Sequence, residues 1–351
     1  MVDARQQTRP LLGLLTFFSL WLLLGASQPV AVPPQTTQPA LVRTVDAVEM
    51  TVGDLDRSTD FYSRVLSFKK ISETEVAGND YEHLEGVFGL RTRVARMRLG
   101  EESIELTEYL IPQGRPVPAD SRSSDLWFQH IAMVVSHMDR AYGQLRRNHV
   151  RYVSSGPQRL PNSNKEAGGI RAFYFRDSDG HPLELLEFPP GKGAAKWHRQ
   201  TDTLFLGIDH SAIAAGDTQA SLRFYRDLLG MRIVRGSENY GTEQEHLSGV
   251  FGARVRITSL RAAEGPGIEL LEYLSPQGGR PIRGDEHSND LVDHQIRLAA
   301  ENVEDAARRL RAARVGPISS GVVSFPNAEL GFHAGLLVRD PDGHAVELVE
   351  K

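Results

Sequence analysis

No cysteine occurs in the 351-residue chain. Disulfides, thiolate metal ligands and cysteine nucleophiles are therefore all excluded. Charge of one sign is lacking too. A formal net charge of -5 and a pI of about 6.2 give no electrostatic case for a nucleic-acid partner. The apolar run near the start, Leu11–Leu24, is only about 14 residues long, short of the roughly 20 that a membrane span needs. What is present is ordinary for a globular protein: 40% hydrophobic and 24% charged residues, in a length that accommodates two domains with sizeable cores.

Arg5 and Arg9 precede the apolar run and Gly25-Ala26-Ser27 follow it. A basic stretch, a short apolar stretch and small residues make a secretory signal peptide, assigned to residues 1–27. The alternative is an uncleaved anchor, which would be the chain's one tie to a membrane. Residues 28–40 are rich in Pro, Gln and Thr and read as a linker. The mature chain is expected to be secreted or periplasmic, where lacking cysteine also avoids stray disulfides.

From Leu41 the sequence repeats. Gly53-Asp54 returns as Gly216-Asp217, Phe61-Tyr62 as Phe224-Tyr225, and EHLEGVFG (82–89) as EHLSGVFG (245–252), each 163 positions later. IELTEYL returns as IELLEYL at 164, and Asp125, Leu145 and Val150 return as Asp290, Leu310 and Val315 at 165. The offset changes at turns, where insertions are tolerated. Two domains of about 150 residues are expected, at 41–190 and 204–351, joined by a Gly/Pro/Lys-rich linker at 191–203.

Each repeat contains two similar halves. A strand over 45–52 leads to a helix capped near Asp54 or Ser58, followed by strands over 69–76, 93–99 and 103–110. The order restarts with a strand over 130–135, a helix over 139–148, and strands near Tyr152, over 172–176 and over 183–188. The second repeat predicts helices over 218–229 and 303–313. The expected class is α+β: two tandem domains of paired βαβββ modules, each pair an open half-barrel with flanking helices.

Within this frame two stretches carry chemistry. ESIELTEYL (102–110) and PGIELLEYL (266–274) each set an acidic residue, Glu105 or Glu269, inside an apolar run, and the strands that follow open on His130 or Gln295. A carboxylate facing inward on a strand is costly unless it is paired, hydrogen-bonded or metal-bound. Imidazole and carboxylate together suit Zn, Fe(II), Mn or Ni.

The strand ending in Gly-Asp-Leu, the Ser-x-x-Phe-Tyr helix, and the closing RDSDGHPLEL (176–185) and RDPDGHAVEL (339–348) resemble the vicinal oxygen chelate (glyoxalase/bleomycin-resistance/extradiol dioxygenase) superfamily. The resemblance covers nearly everything from Val45 to Glu350. It implies a half-barrel around one metal, with each module supplying a ligand from its first and last strand. In the first repeat these positions hold Ala47, Glu105, His130 and Glu184; in the second they hold His210, Glu269, Gln295 and Glu347. The second repeat is thus expected to carry the fuller metal site. A slip of one residue would replace Gln295 by His294; strand alternation favours Gln295 and leaves His294 facing the surface.

Weaker candidates accompany these. Tyr109 and Tyr273 lie four residues beyond the two acids, on the same strand face, and serve either as phenolic donors to a substrate or as packing. His83 and His246 either line the cavity or make local hydrogen bonds. His181 and His344 sit in Asp-Gly turns and are expected to serve them. The loops 161–169 and 325–335 are either lids or solvated loops.

The resemblance implies an exported metal-dependent enzyme of isomerase or lyase type, acting on a small metal-chelating oxygenated substrate, with Glu269 or Glu105 moving the proton. An Fe(II) extradiol-type dioxygenase, which needs two His and one Glu, is one alternative. A small-molecule-binding protein of resistance type is the other. A homodimer is left open.

Overall fold

The computed structural model describes residues 40–351. The signal segment expected at 1–27, and the linker up to residue 39, lie outside the described residues. Among the described residues no helix is long and apolar enough to cross a membrane.

Four modules follow one another. The first is β1 (Val42–Val52), α1 (Leu55–Leu66), β2 (Lys69–Ala77), α2 (Asn79–Glu85), β3 (Arg91–Leu99) and β4 (Glu102–Ile111). The second is β5 (Gln129–Val135), α3 (Met138–Arg147), β6 (Arg151–Tyr152), β7 (Gln158–Arg159), β8 (Arg171–Arg176) and β9 (Pro182–Glu187). The third holds β10 (Phe205–Ala214), α4 (Thr218–Leu222), β11 (Arg232–Tyr240), α5 (Thr242–Ser248), β12 (Arg254–Arg261) and β13 (Gly267–Ser275). The last holds β14 (His294–Ala300), α6 (Val303–Ala312), β15 (Val323–Ser324), β16 (Ala334–Arg339) and β17 (Ala345–Glu350).

Local chemistry sets these elements. Asp54 caps α1 by accepting from the Arg57 amide at 2.9 Å, and Asp217 caps α4 by accepting from the Gln219 amide at 2.7 Å, satisfying donors that the first turn leaves free. The apolar face of α1 buries Tyr62, Val65 and Leu66. The helix expected over 218–229 is present, but passes from α4 into a π-helical segment at Arg223–Leu228. The Glu-His-Leu motifs fold as α2 and α5, which the strand pattern had not suggested.

The class is α+β, built from βαβββ modules as expected. Their partners are different. One sheet runs β15-β16-β17-β14-β1-β4-β3-β2 and the other β11-β12-β13-β10-β5-β9-β8-β6, with β7 on β8. Each sheet therefore takes one module from each repeat: first with fourth, second with third. The joins are antiparallel, β1 on β14 and β10 on β5.

Reciprocal clamps hold this crossed pairing. Arg115, in the turn after β4, sets its Nε 3.0 Å from Asp290 Oδ1, ahead of β14. Arg280, after β13, sets its Nε 3.0 Å from Asp125 Oδ1, ahead of β5. The backbones touch here. A Cβ on Gly114 would lie 1.9 Å from the Asn289 carbonyl oxygen, and one on Gly279 1.8 Å from that of Ser124, so only glycine admits the approach. His181 Nε2 reaches the Leu291 carbonyl at 2.6 Å and His344 Nε2 the Ala214 carbonyl at 2.8 Å. Both turn histidines thus tie one sheet to the other.

Packing follows the repeat while pairing crosses it. Residues of β1, α1, β4, β5, α3 and β9 share one apolar cluster, and the third and fourth modules dominate another. Each repeat has its own core between the sheets. The opposite face of each sheet is left to form a separate centre.

Candidate metal centre

On one of these faces, β5, β9, β10 and β13 supply His130, Glu184, His210 and Glu269, between 1% and 6% exposed. His130 Nε2 lies 3.1 Å from Glu184 Oε2. His210 Nε2 lies 3.6 Å from the same oxygen and 3.4 Å from Glu269 Oε2. One donor atom each from His130, Glu184 and His210 falls within 4.8 Å of the others, and Glu269 closes the set from the far side of His210.

A second layer orients the first. A bulge in β10 between Ile208 and His210 leaves Asp209 unpaired with β5, which re-aims its side chain. Asp209 Oδ2 then lies 3.0 Å from His210 Nδ1, while its Oδ1 accepts from Trp197 Nε1 at 3.1 Å and from Arg261 at 3.0 Å. With Nδ1 held, His210 presents Nε2 to the two glutamates. Glu269 Oε1 accepts from Ser259 at 2.5 Å and from Arg235 at 3.0 Å.

The electrostatics show what the site demands. Burial alone would lower the His210 pKa, but Glu269, Asp209 and Glu184 around the ring push it up to about 10. Burial raises Glu184, yet hydrogen bonds to His130 and His210 leave it below the usual carboxylate range. Two buried carboxylates thus require positive charge between them.

The donors fit a divalent cation. A structural histidine ties its ring to the backbone, as His181 and His344 do. His130 makes no such bond: Nδ1 is buried without a partner, and the polar contact of Nε2 is Glu184. Two imidazoles and two carboxylates, oriented from behind and walled from water, form a set for Zn, Fe(II), Mn or Ni. A cavity of about 330 Å³ reaches His210, Glu269, Arg235, Ser259 and Arg261. A smaller one of about 50 Å³ touches Glu184, His210 and Glu269 under Leu160, Ile170, Leu247 and Ile257, with Asn239 and Gln244 as polar lining. A groove of about 420 Å³ bordered by Lys69, Arg98 and Trp197 holds none of the donors.

Four of the expected ligand positions, His130, Glu184, His210 and Glu269, come together, but in a grouping other than the expected one. His130 and Glu184 were assigned to one centre, His210 and Glu269 to another. They meet because sheets pair across the repeat. Gln295, Glu105 and Glu347 lie on the other sheet. Gln295 donates to Glu85 at 2.8 Å, Glu105 accepts from Arg297 at 2.6 Å and Arg96 at 2.8 Å, and Glu347 accepts from Arg297.

Other candidates move as well. Tyr109 donates to Glu85 at 3.3 Å on the second sheet, and Tyr273 packs against the cluster around the first centre. His83 and His246 expose their side chains while their carbonyls accept from Ser320 and Ser155. Gln244 and Leu247, on the other face of α5, line the cavity instead. His294 is not at the surface. It is 5% exposed, packs against His181 at 5.0 Å, and burial drops its pKa to about 3. Asp209 and Trp197 were missed; Trp197, in the linker between the repeats, is built into the site.

Comparison with known proteins agrees with this architecture. The model of the Glyoxalase/Bleomycin resistance protein/Dioxygenase superfamily matches residues 44–185 and again 207–348. The chain belongs to this superfamily. It is 25% identical over 222 residues to a lactoylglutathione lyase of Arabidopsis thaliana, covering 63% of this chain and 66% of that protein. It is 24% identical over 149 residues to the lactoylglutathione lyase of Salmonella typhimurium, covering 40% of this chain and 90% of the relative. A glyoxalase I mutant from Zea mays superposes with a TM-score of 0.59 at 17% identity, covering 88% of this chain and 94% of that one. At that identity the likeness concerns the superfamily's fold. The two matched ranges coincide with the two sequence repeats.

Proposed function

We propose that the chain is a metal-dependent lyase or isomerase acting on a small substrate with neighbouring oxygens. His130, Glu184, His210 and Glu269 would hold the metal. The observation that carries this reading is their buried convergence from both repeats, and the distant lactoylglutathione lyases support it. A bound divalent cation would polarise the two oxygens of the substrate.

The chain's own residues do the rest. Glu269 faces the cavity with one oxygen held by Ser259 and Arg235, and serves as the base that removes a proton beside a carbonyl and returns it. Arg235 and Arg261 border the larger cavity and favour a substrate carrying negative charge. Leu160, Ile170, Leu247 and Ile257 keep water from the inner part, which strengthens these interactions. The export expected from residues 1–27 points to a substrate other than a cytoplasmic thiol conjugate.

A second reading rests on the same geometry. His130, His210 and Glu184 by themselves are two imidazoles and a carboxylate, a set that suits Fe(II) and oxygen chemistry. Glu269 as fourth donor favours the lyase reading. The test is metal content together with turnover. Zn, Mn or Ni dependence with isomerisation of α-oxoaldehyde adducts or α-hydroxycarbonyls supports the first reading. Oxygen consumption with catechols, dependent on Fe(II), supports the second. Protein that binds no divalent metal sinks both.

A further inference from the structure

The second sheet carries the same scaffold, and something else stands at its centre. By the repeat, Glu105 corresponds to Glu269 and Glu347 to Glu184. Between them, 1% exposed, lies Arg297. Its Nη1 donates to Glu105 Oε2 at 2.6 Å, its Nη2 to Glu49 Oε2 at 3.1 Å, and its Nε to Glu347. The Phe332 ring covers the guanidinium at 5.0 Å. Glu347 Oε1 and Gln295 Oε1 are both buried without a partner.

The register explains how this arises. At the first centre His210 on β10 sits across from Ala132 on β5. At the second, Ala47 on β1 sits across from Arg297 on β14. These are the same cross-strand position, with the large and small side chains exchanged. Arg297 lengthens from the strand opposite the missing histidine and fills the space that Ala47 leaves. A bulge beside Ala47, between Val45 and Ala47, matches the one at Asp209. The second centre keeps both carboxylates of the scaffold, with Gln295 in the place of His130, Arg96 in that of Ser259 and this pair exchanged.

We propose that Arg297 is the built-in cation of the second centre, its guanidinium excluding a divalent metal from the site that Glu105, Glu347 and Gln295 would otherwise form. The chain then carries one metal and one reaction centre despite its two repeats. Two carboxylates that would repel one another are neutralised from within.

The test exchanges the pair. Metal equivalents are measured in the full chain by elemental analysis and by Co(II) visible absorption, for the parent, A47H, R297K and A47H/R297A. The double variant is expected to bind one more equivalent than the parent; A47H and R297K are expected to match the parent. The increment, not the parent's own count, tests the proposal, so a parent that binds no metal defeats the function above and leaves this comparison intact. Should A47H/R297A fail to fold alone, Co(II) or Zn(II) added during refolding is expected to restore it. A folded double variant with no added equivalent, a variant that neither metal rescues, or a gain of metal by R297K would each overturn the proposal.

Discussion

His210 Nε2 and Glu184 Oε2 lie 3.6 Å apart although a repeat boundary separates them in sequence. That contact reverses an expectation drawn from the repeats taken singly, under which Glu347 would serve the principal site and Glu184 a poorer one. Glu184→Gln should now remove metal and activity, weakening binding by more than the roughly 10–100-fold that an outer-shell change costs. Glu347→Ala should leave the metal content at the parent level. Metal titration of the two variants decides this; loss from Glu347→Ala would return the centre to the second repeat.

Asp209 should matter nearly as much as a ligand while touching no metal. It accepts from His210 Nδ1, Trp197 and Arg261 together, so Asp209→Asn frees the ring to turn. Metal affinity is expected to fall about 10–100-fold, with melting of the metal-free protein changed far less. Unchanged affinity by calorimetry would show that the bulge in β10 positions His210 without help from Asp209.

The repeat, its modules and the strand positions of the donors were legible because each leaves a local signature: an offset, a cap, an acid within an apolar run. Which donors meet was not, because sheet partners are chosen by contacts far apart in sequence. Gly114 and Gly279 carry that choice, yet in the sequence they read as ordinary turn glycines. Arg297 stands two residues beyond Gln295, hence on the same strand face, and could have been read as an inward cation among inward acids. His294 was misplaced because alternation names a face, and both faces of β14 are covered.

The export expected from residues 1–27 can be tested directly. The precursor is expected to be cleaved near Ser27, so the mass of protein from an expressing host should correspond to a chain beginning close to Gln28 and lie in the extracytoplasmic fraction. Intact Met1 in cytoplasmic protein would overturn that expectation and restore thiol conjugates as candidate substrates.

The acids around Arg297 should give the fold a pH dependence of unusual sign. One guanidinium faces Glu49, Glu105 and Glu347, with Glu85 close by, and Arg96, which also pairs with Asp46, reaches Glu105 alone among these four acids. Burial pushes the Glu347 carboxyl up from 4.5 to about 7 against the pull of Arg297, and Glu49 and Glu85 move up for the same cause. The unfolded chain releases the Glu347 proton near 4.5, whereas the folded chain keeps it to about 7. Folding therefore binds a proton in that window, and the contribution to stability is complete below 4.5 and lost as pH rises through 7. Glu347→Gln carries a permanent neutral amide and cannot titrate. Denaturant unfolding between pH 4.5 and 7 should show its stability falling less steeply with pH than the parent's, with the two curves converging in shape above pH 7. Parallel curves throughout the window would mean that Glu347 is ionised beside Arg297 at every pH where the protein is folded.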